Sequence, residues 1–222
     1  MRMTRAGYRC RRSAGGQSMV EFIIVVPVVL FMILFVVQAV MLYRIKSTLD
    51  YAALQAARAG AVHGADRGKM RDGLARGMTP LFTHGKDVGA LHAGYWKAQA
   101  DMRLHSRIDV ISPTQAAWNE FREKQHNGRD ALPNDNLAFR STHVGSSGVN
   151  VQDANILKIR VTYDAPLVVP FVGLVLGGKS AYLEPDTFES SPIKRLTGRL
   201  PIESYAIVRM QSPIYERHNL AR

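Results

Sequence analysis

The sequence predicts an α+β fold: one long N-terminal helix with a single transmembrane span, running into a small domain of helices and an antiparallel sheet. Three observations carry that expectation. Residues 22 to 43 read FIIVVPVVLFMILFVVQAVMLY, 22 residues without a charge. Beyond them, apolar residues recur at helical spacing as far as Met102. Further on, 155–163 and 201–211 read as strands, the first with the strict two-residue alternation of a half-buried strand.

The apolar run comes first. At about 1.5 Å per residue it covers roughly 33 Å, enough to cross a hydrocarbon core of about 30 Å. Gln38 is its one strongly polar member. A buried helix of a soluble domain is rarely apolar all round for so long. Before the run stand Arg2, Arg5, Arg9, Arg11 and Arg12 without any acid. Such a flank places the N-terminus in the cytoplasm and exports the chain beyond Tyr43. A cleaved secretory signal has a shorter apolar region that ends at a small-residue site, and no Ala-x-Ala-like site closes this run before Arg44. Cys10 is the single cysteine, so no intramolecular disulfide can form and the domain depends on packing. The formal charge is +11, and loss of the first 16 residues would take five arginines and leave +6. Much of the basic excess is therefore topogenic and does not point to nucleic acid.

Glu21 lies directly against the apolar run, where a carboxylate is costly without a partner and a functional role is the default expectation. If the chain is cut after Gly16, Gln17 becomes an N-terminus with a free amine and Glu21 stands one helical turn along, about 6 Å. The carboxylate can then pair with the amine of its own helix or of a staggered neighbour, in a low-dielectric setting that strengthens the attraction. A basic leader, a glycine, four residues, a glutamate and a long apolar helix resemble type IV pilin-like precursors. The stretch GQSMVEFIIVVP, with Pro27 six residues after Glu21, and the Ala-rich LDYAALQAARAGAVHG at 49–64 resemble the TadE-like pseudopilins of the tight-adherence (Tad/Flp) pilus system.

That resemblance is specific over about residues 10–64. It implies a basic leader at 1–16, a helix at 17–63 and an exported α+β head at 64–222. It implies Gly16 as the cleavage-site residue, Gln17 as the mature N-terminus and Glu21 as the assembly residue. Phe22, where major Flp pilins carry tyrosine, and the large head imply a minor pilin. The expected role is pilus initiation, tip contact or cell adhesion. The implied partners are a prepilin peptidase, the major Flp pilin and other minor pilins, the inner-membrane pilus assembly platform and membrane lipid. The implied location is the bacterial inner membrane, single-pass, with a periplasmic C-terminal domain. An uncleaved single-span protein with a periplasmic partner-binding domain is the alternative. Pro27 removes a helical hydrogen bond and tends to kink the helix, either tolerated in the membrane or serving as a melted segment in a filament.

Past the span, Arg44 and Lys46 mark the far membrane interface. Ala52, Ala56, Gly60 and Gly64 recur every four residues, as do Ala53, Ala57 and Ala61, and such stripes let another backbone approach closely. Packing of the head on this stripe is preferred to a dimer face, with Gly64 as the helix stop. Asp66 suits the cap of a second helix with Met70, Leu74, Met78 and Leu81 on one face. A third helix is expected with Val88, Leu91, Tyr95, Ala98 and Met102 inward. A weak strand at 107–112, a short helix at 114–125 with Trp118 and Phe121, and a long loop at 129–153 precede the two clear strands. In the first of these, Leu157, Ile159, Val161 and Tyr163 face one way.

Catalytic motifs do not survive weighing. Gly173 to Ser180, GLVLGGKS, matches the phosphate-loop pattern, whose backbone N–H groups cradle phosphates at the start of a helix. Its apolar interior, the following Pro185 and its exported position argue for a turn after a buried apolar segment. The apolar segment 167–176 is too short for a second span. The seven histidines, among them His84, His92 and His105, show no metal-ligand spacing. VGSSGV at 144–149 misses the nucleophile-elbow pattern by one position. No enzyme activity, cofactor or metal is expected.

Overall fold

The computed structural model describes residues 15–169 and 198–221, with side chains of the first helix from Met19 onward. That helix, α1 (Gly15–Val62), has 48 residues and runs unbroken through Pro27. At 1.5 Å per residue it is about 72 Å long, well over a bilayer's hydrocarbon thickness. An apolar helix satisfies its own backbone groups, which is why hydrocarbon tolerates it. The chain leaves α1 through two left-handed residues, Gly64 (φ 62°) and Ala65 (φ 61°). Gly64 takes that conformation without a Cβ penalty and donates its N–H to Ser212 Oγ at 2.8 Å. The Ala65 N–H donates to Gly60 O at 2.8 Å and closes the helix end.

One helix then returns along α1, and a second reverses again to pack on it. Asp66 caps α2 (Arg67–Phe82) by accepting from the Lys69 N–H at 2.9 Å. Met70, Leu74 and Met78 lie fully buried along one face. The third helix, α3 (Val88–His105), buries Gly94, Ala98 and Met102, with Tyr95 half-buried. Here the expectation needs correcting, because Val88 and Leu91 are 72% and 53% exposed. Gly94 takes a seat against Thr83 that a Cβ would occupy, so α3 approaches through its small residues and turns its first apolar residues outward.

Three antiparallel strands complete the core: β1 (Ser106–Ser112), β4 (Ile156–Pro166) and β5 (Arg199–Arg209), in the order β1-β4-β5. Their register pairs Ile108 with Val161, and Ile159 with Ala206. Burial alternates strictly along β4, with Leu157, Ile159, Val161, Tyr163 and Ala165 inward. That face lies on α1.

Between β1 and β4 the chain builds a side lobe. Thr114 caps α4 (Gln115–Phe121), and the Trp118 indole donates to Ile214 O at 2.8 Å. A minimal hairpin, β2 (Glu123–Lys124) with β3 (Asp130–Ala131), comes next. The region expected as a loop is organised further by a 3-10 turn at Leu137–Phe139 and by α5 (Val151–Ala154). Leu132, Leu137 and Val151 are buried under it. Arg140 fastens the lobe through a bidentate pair with Glu123 at 2.6 and 3.0 Å and a bond to Asp135 at 3.1 Å. Short apolar anchors and side-chain bonds, rather than periodicity, order this stretch.

Candidate functional site

The surface that matters is α1, which divides into two halves of opposite character. From Met19 to Val37 all its large apolar side chains but the half-buried Val26 are exposed, Phe22 among them. Such a surface is unstable in water and is what hydrocarbon or other apolar helices require. Glu21 is also exposed and has no ion-pair partner among the described residues. Gly16 and Gln17 lie in the first turn of α1. Pro27 lacks an N–H donor, yet the helix continues through it. Residues 1–14 of the leader, with Cys10, and the phosphate-loop-like Gly173–Ser180 lie outside the described residues.

From Gln38 to Val62 the helix is the spine of the head. Leu49, Ala52, Ala53, Ala56 and Ala57 are fully buried, and Ala61 nearly so. The small-residue stripe is covered from within the chain. A Cβ on Gly77 would stand 2.7 Å from Ala52 Cβ, and one on Gly73 2.9 Å from Gln55 O. On the sheet side, a Cβ on Gly60 would meet Met70 Cγ at 2.8 Å and Leu157 Cδ2 at 2.9 Å. α1 and α2 therefore approach to backbone contact, which only Gly against Ala permits.

Polar groups of this C-terminal half tie it to β5 and to the chain leaving β4. Lys46 Nζ bonds Asp50 at 2.5 Å and donates to Glu203 O at 2.6 Å. Gln38, fully buried, accepts at Oε1 from the N–H groups of Val168 (3.0 Å) and Val169 (2.9 Å). Sequence inspection singles out Gln38 only as the polar exception in the run. That isolation is the one sequence signal of its role.

Two further clusters bear on stability rather than chemistry. The Tyr163 hydroxyl donates to Asp101 Oδ2 at 2.7 Å, and Arg199 reaches the other oxygen at 3.3 Å. Burial and then the Asp101 bond push the phenol pKa up. Glu120 accepts from the N–H and hydroxyl of Ser146 and the N–H of Ser147, at 2.6 to 3.0 Å. The Ser147 side chain, its N–H and the Ser146 donors hold this carboxyl down at about 2. The Ser147 hydroxyl makes no hydrogen bond of good geometry, so the other three contacts anchor the turn. Among the described residues no group of three His, Cys, Asp or Glu side chains could hold a metal ion.

The decisive comparison falls on α1. Residues 16–58 match the family described as TadE-like protein. This N-terminal segment is TadE-like. The match opens at Gly16 and ends inside α1, so the likeness to TadE-like proteins covers the first helix and not the head. The TadE-like helix is long and apolar enough to cross a membrane, and as the only such helix among the described residues it fits a single-pass protein. No curated protein and no solved structure matches the chain.

Proposed function

We propose that this chain is a minor pilin of a Tad/Flp pilus, inserted with its N-terminus in the cytoplasm, cut after Gly16 by a prepilin peptidase and recruited to the pilus through α1. The observation that carries the reading is the division of the TadE-like helix. Its C-terminal half is consumed by the head, whereas nearly every side chain of Met19–Val37, Glu21 included, is left exposed. A helix of that kind has a free length for neighbouring pilin helices.

The chemistry at its tip follows from cleavage. A new α-amine at Gln17 would sit at the positive end of the helix dipole, where a cation is disfavoured. Glu21 offsets that charge, on its own helix or across a stagger to the next subunit, at the edge of a low-dielectric layer. Leader removal would thus create the group that Glu21 recognises, and membrane insertion and assembly become ordered steps. The head would carry initiation, tip or adhesive contacts, and the chain's action is structural rather than catalytic. Glu21→Ala tests this: the leader should still be removed and the subunit should fail to enter pili. Normal incorporation of that variant would remove Glu21 from assembly. Retention of Cys10 in the membrane form would favour the uncleaved single-span reading.

A further inference from the structure

We propose that the head is seated in the outer leaflet, with the end of β4 and the start of α3 as its lipid-contacting surface, rather than standing clear of the bilayer. The proposal rests on α1 spanning the membrane. Gln38 lies five residues before Tyr43, roughly 7–8 Å inside the apolar run. Tyr43 is exposed and followed by Arg44 and Lys46, the signature of an interface. The chain leaving β4 therefore meets α1 below that interface, where it bonds to Gln38.

Non-helical backbone at that depth is tolerated only if its polar groups are satisfied. Here every N–H from Pro166 to Val169 is accounted for. Pro166 has none, Leu167 donates to Gly198 O at 2.9 Å, and Val168 and Val169 donate to Gln38. These bonds are what makes that depth tolerable for the chain leaving β4, although the buried Gln38 Nε2 is itself left without a hydrogen-bond partner among the described residues. The side chains agree: Leu167 and Val169 are buried, while Val168 is apolar and 57% exposed, as are Val40 and Met41 of α1 just past Gln38 to a similar degree.

α3 reaches the same side of the head. Gly77 packs on Ala52, so α2 runs antiparallel to α1, and its end at Phe82 returns toward the span. α3 reverses again, with Gly94 on Thr83 and Gln99 bonded to Asp72 at 3.4 Å. Its residues 88–93 therefore project past Thr83 toward the membrane, by roughly 9 Å of helix. They present Val88 and Leu91, the exposed apolar residues left over from its packing. Exposed Lys86 beside them is a cation of the kind suited to phospholipid headgroups.

The test uses the full chain with Cys10→Ser, reconstituted in vesicles of phosphatidylethanolamine and phosphatidylglycerol. Single cysteines at Val168, Val88, Val29 and Phe139 carry nitroxides, whose collisions with oxygen and a water-soluble nickel chelate report depth. Val168 should resemble the mid-span Val29, several times more accessible to oxygen than to nickel, with Val88 intermediate and Phe139 open to nickel. Gln38→Leu should make the Val168 label accessible to nickel while leaving Val29 unchanged. Nickel access at Val168 equal to Phe139, with Val29 shielded, would overturn the proposal and leave the span intact. Nickel access at Val29 would remove the span and the proposal together. Shielding of Val168 from both reagents would mean that protein, not lipid, covers it, and would equally overturn the proposal.

Discussion

Replacing Gly77 by alanine sets two effects of opposite sign against each other. In an exposed helix interior, Gly→Ala gains about 1 kcal/mol through backbone entropy. At Gly77 the new methyl would overlap the backbone of Ala52 and stand 2.7 Å from its Cβ. A flexible side chain could move aside, but a helix backbone cannot, so relief requires separating α1 from α2. That separation also loosens Gly73 on Ala56 and the buried row Met70, Leu74 and Met78. Overpacking of this kind costs about 1–3 kcal/mol, so the two terms leave a net loss of up to about 2 kcal/mol, and a deficit of about 1–3 kcal/mol against a Gly→Ala change made without the overlap, out of a domain's usual 5–15 kcal/mol. Gly89→Ala is the control. Gly89 is exposed in the first turn of α3, and a Cβ there comes no closer than 3.3 Å to Asp87. That variant should be neutral or gain up to about 1 kcal/mol. Urea unfolding of both full-length variants in detergent micelles, monitored by tryptophan fluorescence, separates them. A Gly77→Ala protein as stable as Gly89→Ala would show that α1 and α2 are not in backbone contact and would refute the close packing of the two helices.

Gln38→Leu leaves the N–H groups of Val168 and Val169 without an acceptor; at about 1–3 kcal/mol per orphaned donor, their amide hydrogen exchange should accelerate by about tenfold or more, and unchanged rates would contradict the clamp. Tyr163→Phe removes the bond to Asp101 and should cost about 0.5–1.5 kcal/mol in the same urea assay, with no effect if the hydroxyl is water-bonded instead. Glu120 ionises in the folded chain at about 2 rather than near the ordinary 4.5, so its anchoring of the Ser146–Ser147 turn is fully present above about pH 4.5 and fades as pH falls toward 2. Glu120→Gln should abolish that acid-dependent loosening, read as proteolysis of the 144–149 turn, and an identical pH profile in the variant would remove the carboxylate from the explanation. Gly16→Leu should leave the leader attached in cells with an active prepilin peptidase, whereas normal trimming would place the cut elsewhere.

The fold is legible in the sequence where one rule acts alone. β4 alternates because its outer face is half-exposed and its inner face lies on α1, so a period of two assigns Leu157, Ile159, Val161 and Tyr163 correctly. α2 is readable from Asp66 and the four-residue row Met70, Leu74 and Met78. The start of α3 misleads because apolar character is there no mark of burial. Gly94 and Ala98 fill the interface, and close approach selects small residues over large ones. The lobe at 123–154 is opaque because its order comes from Arg140, Glu123 and Asp135, residues separated in sequence and polar in type. On α1, Glu21 is visible as a charge against an apolar run, but the partner of Gln38 is not, since it lies 130 residues away in the chain.

The N-terminus of the membrane-resident protein decides between a pilin and a plain anchor. Intact mass and N-terminal peptide mapping of the chain purified from native membranes should find Gln17 as its first residue. A chain still carrying MRMTRAGYRCRRSAGG, in cells whose prepilin peptidase is active, would contradict processing and reduce Glu21 to an interfacial residue.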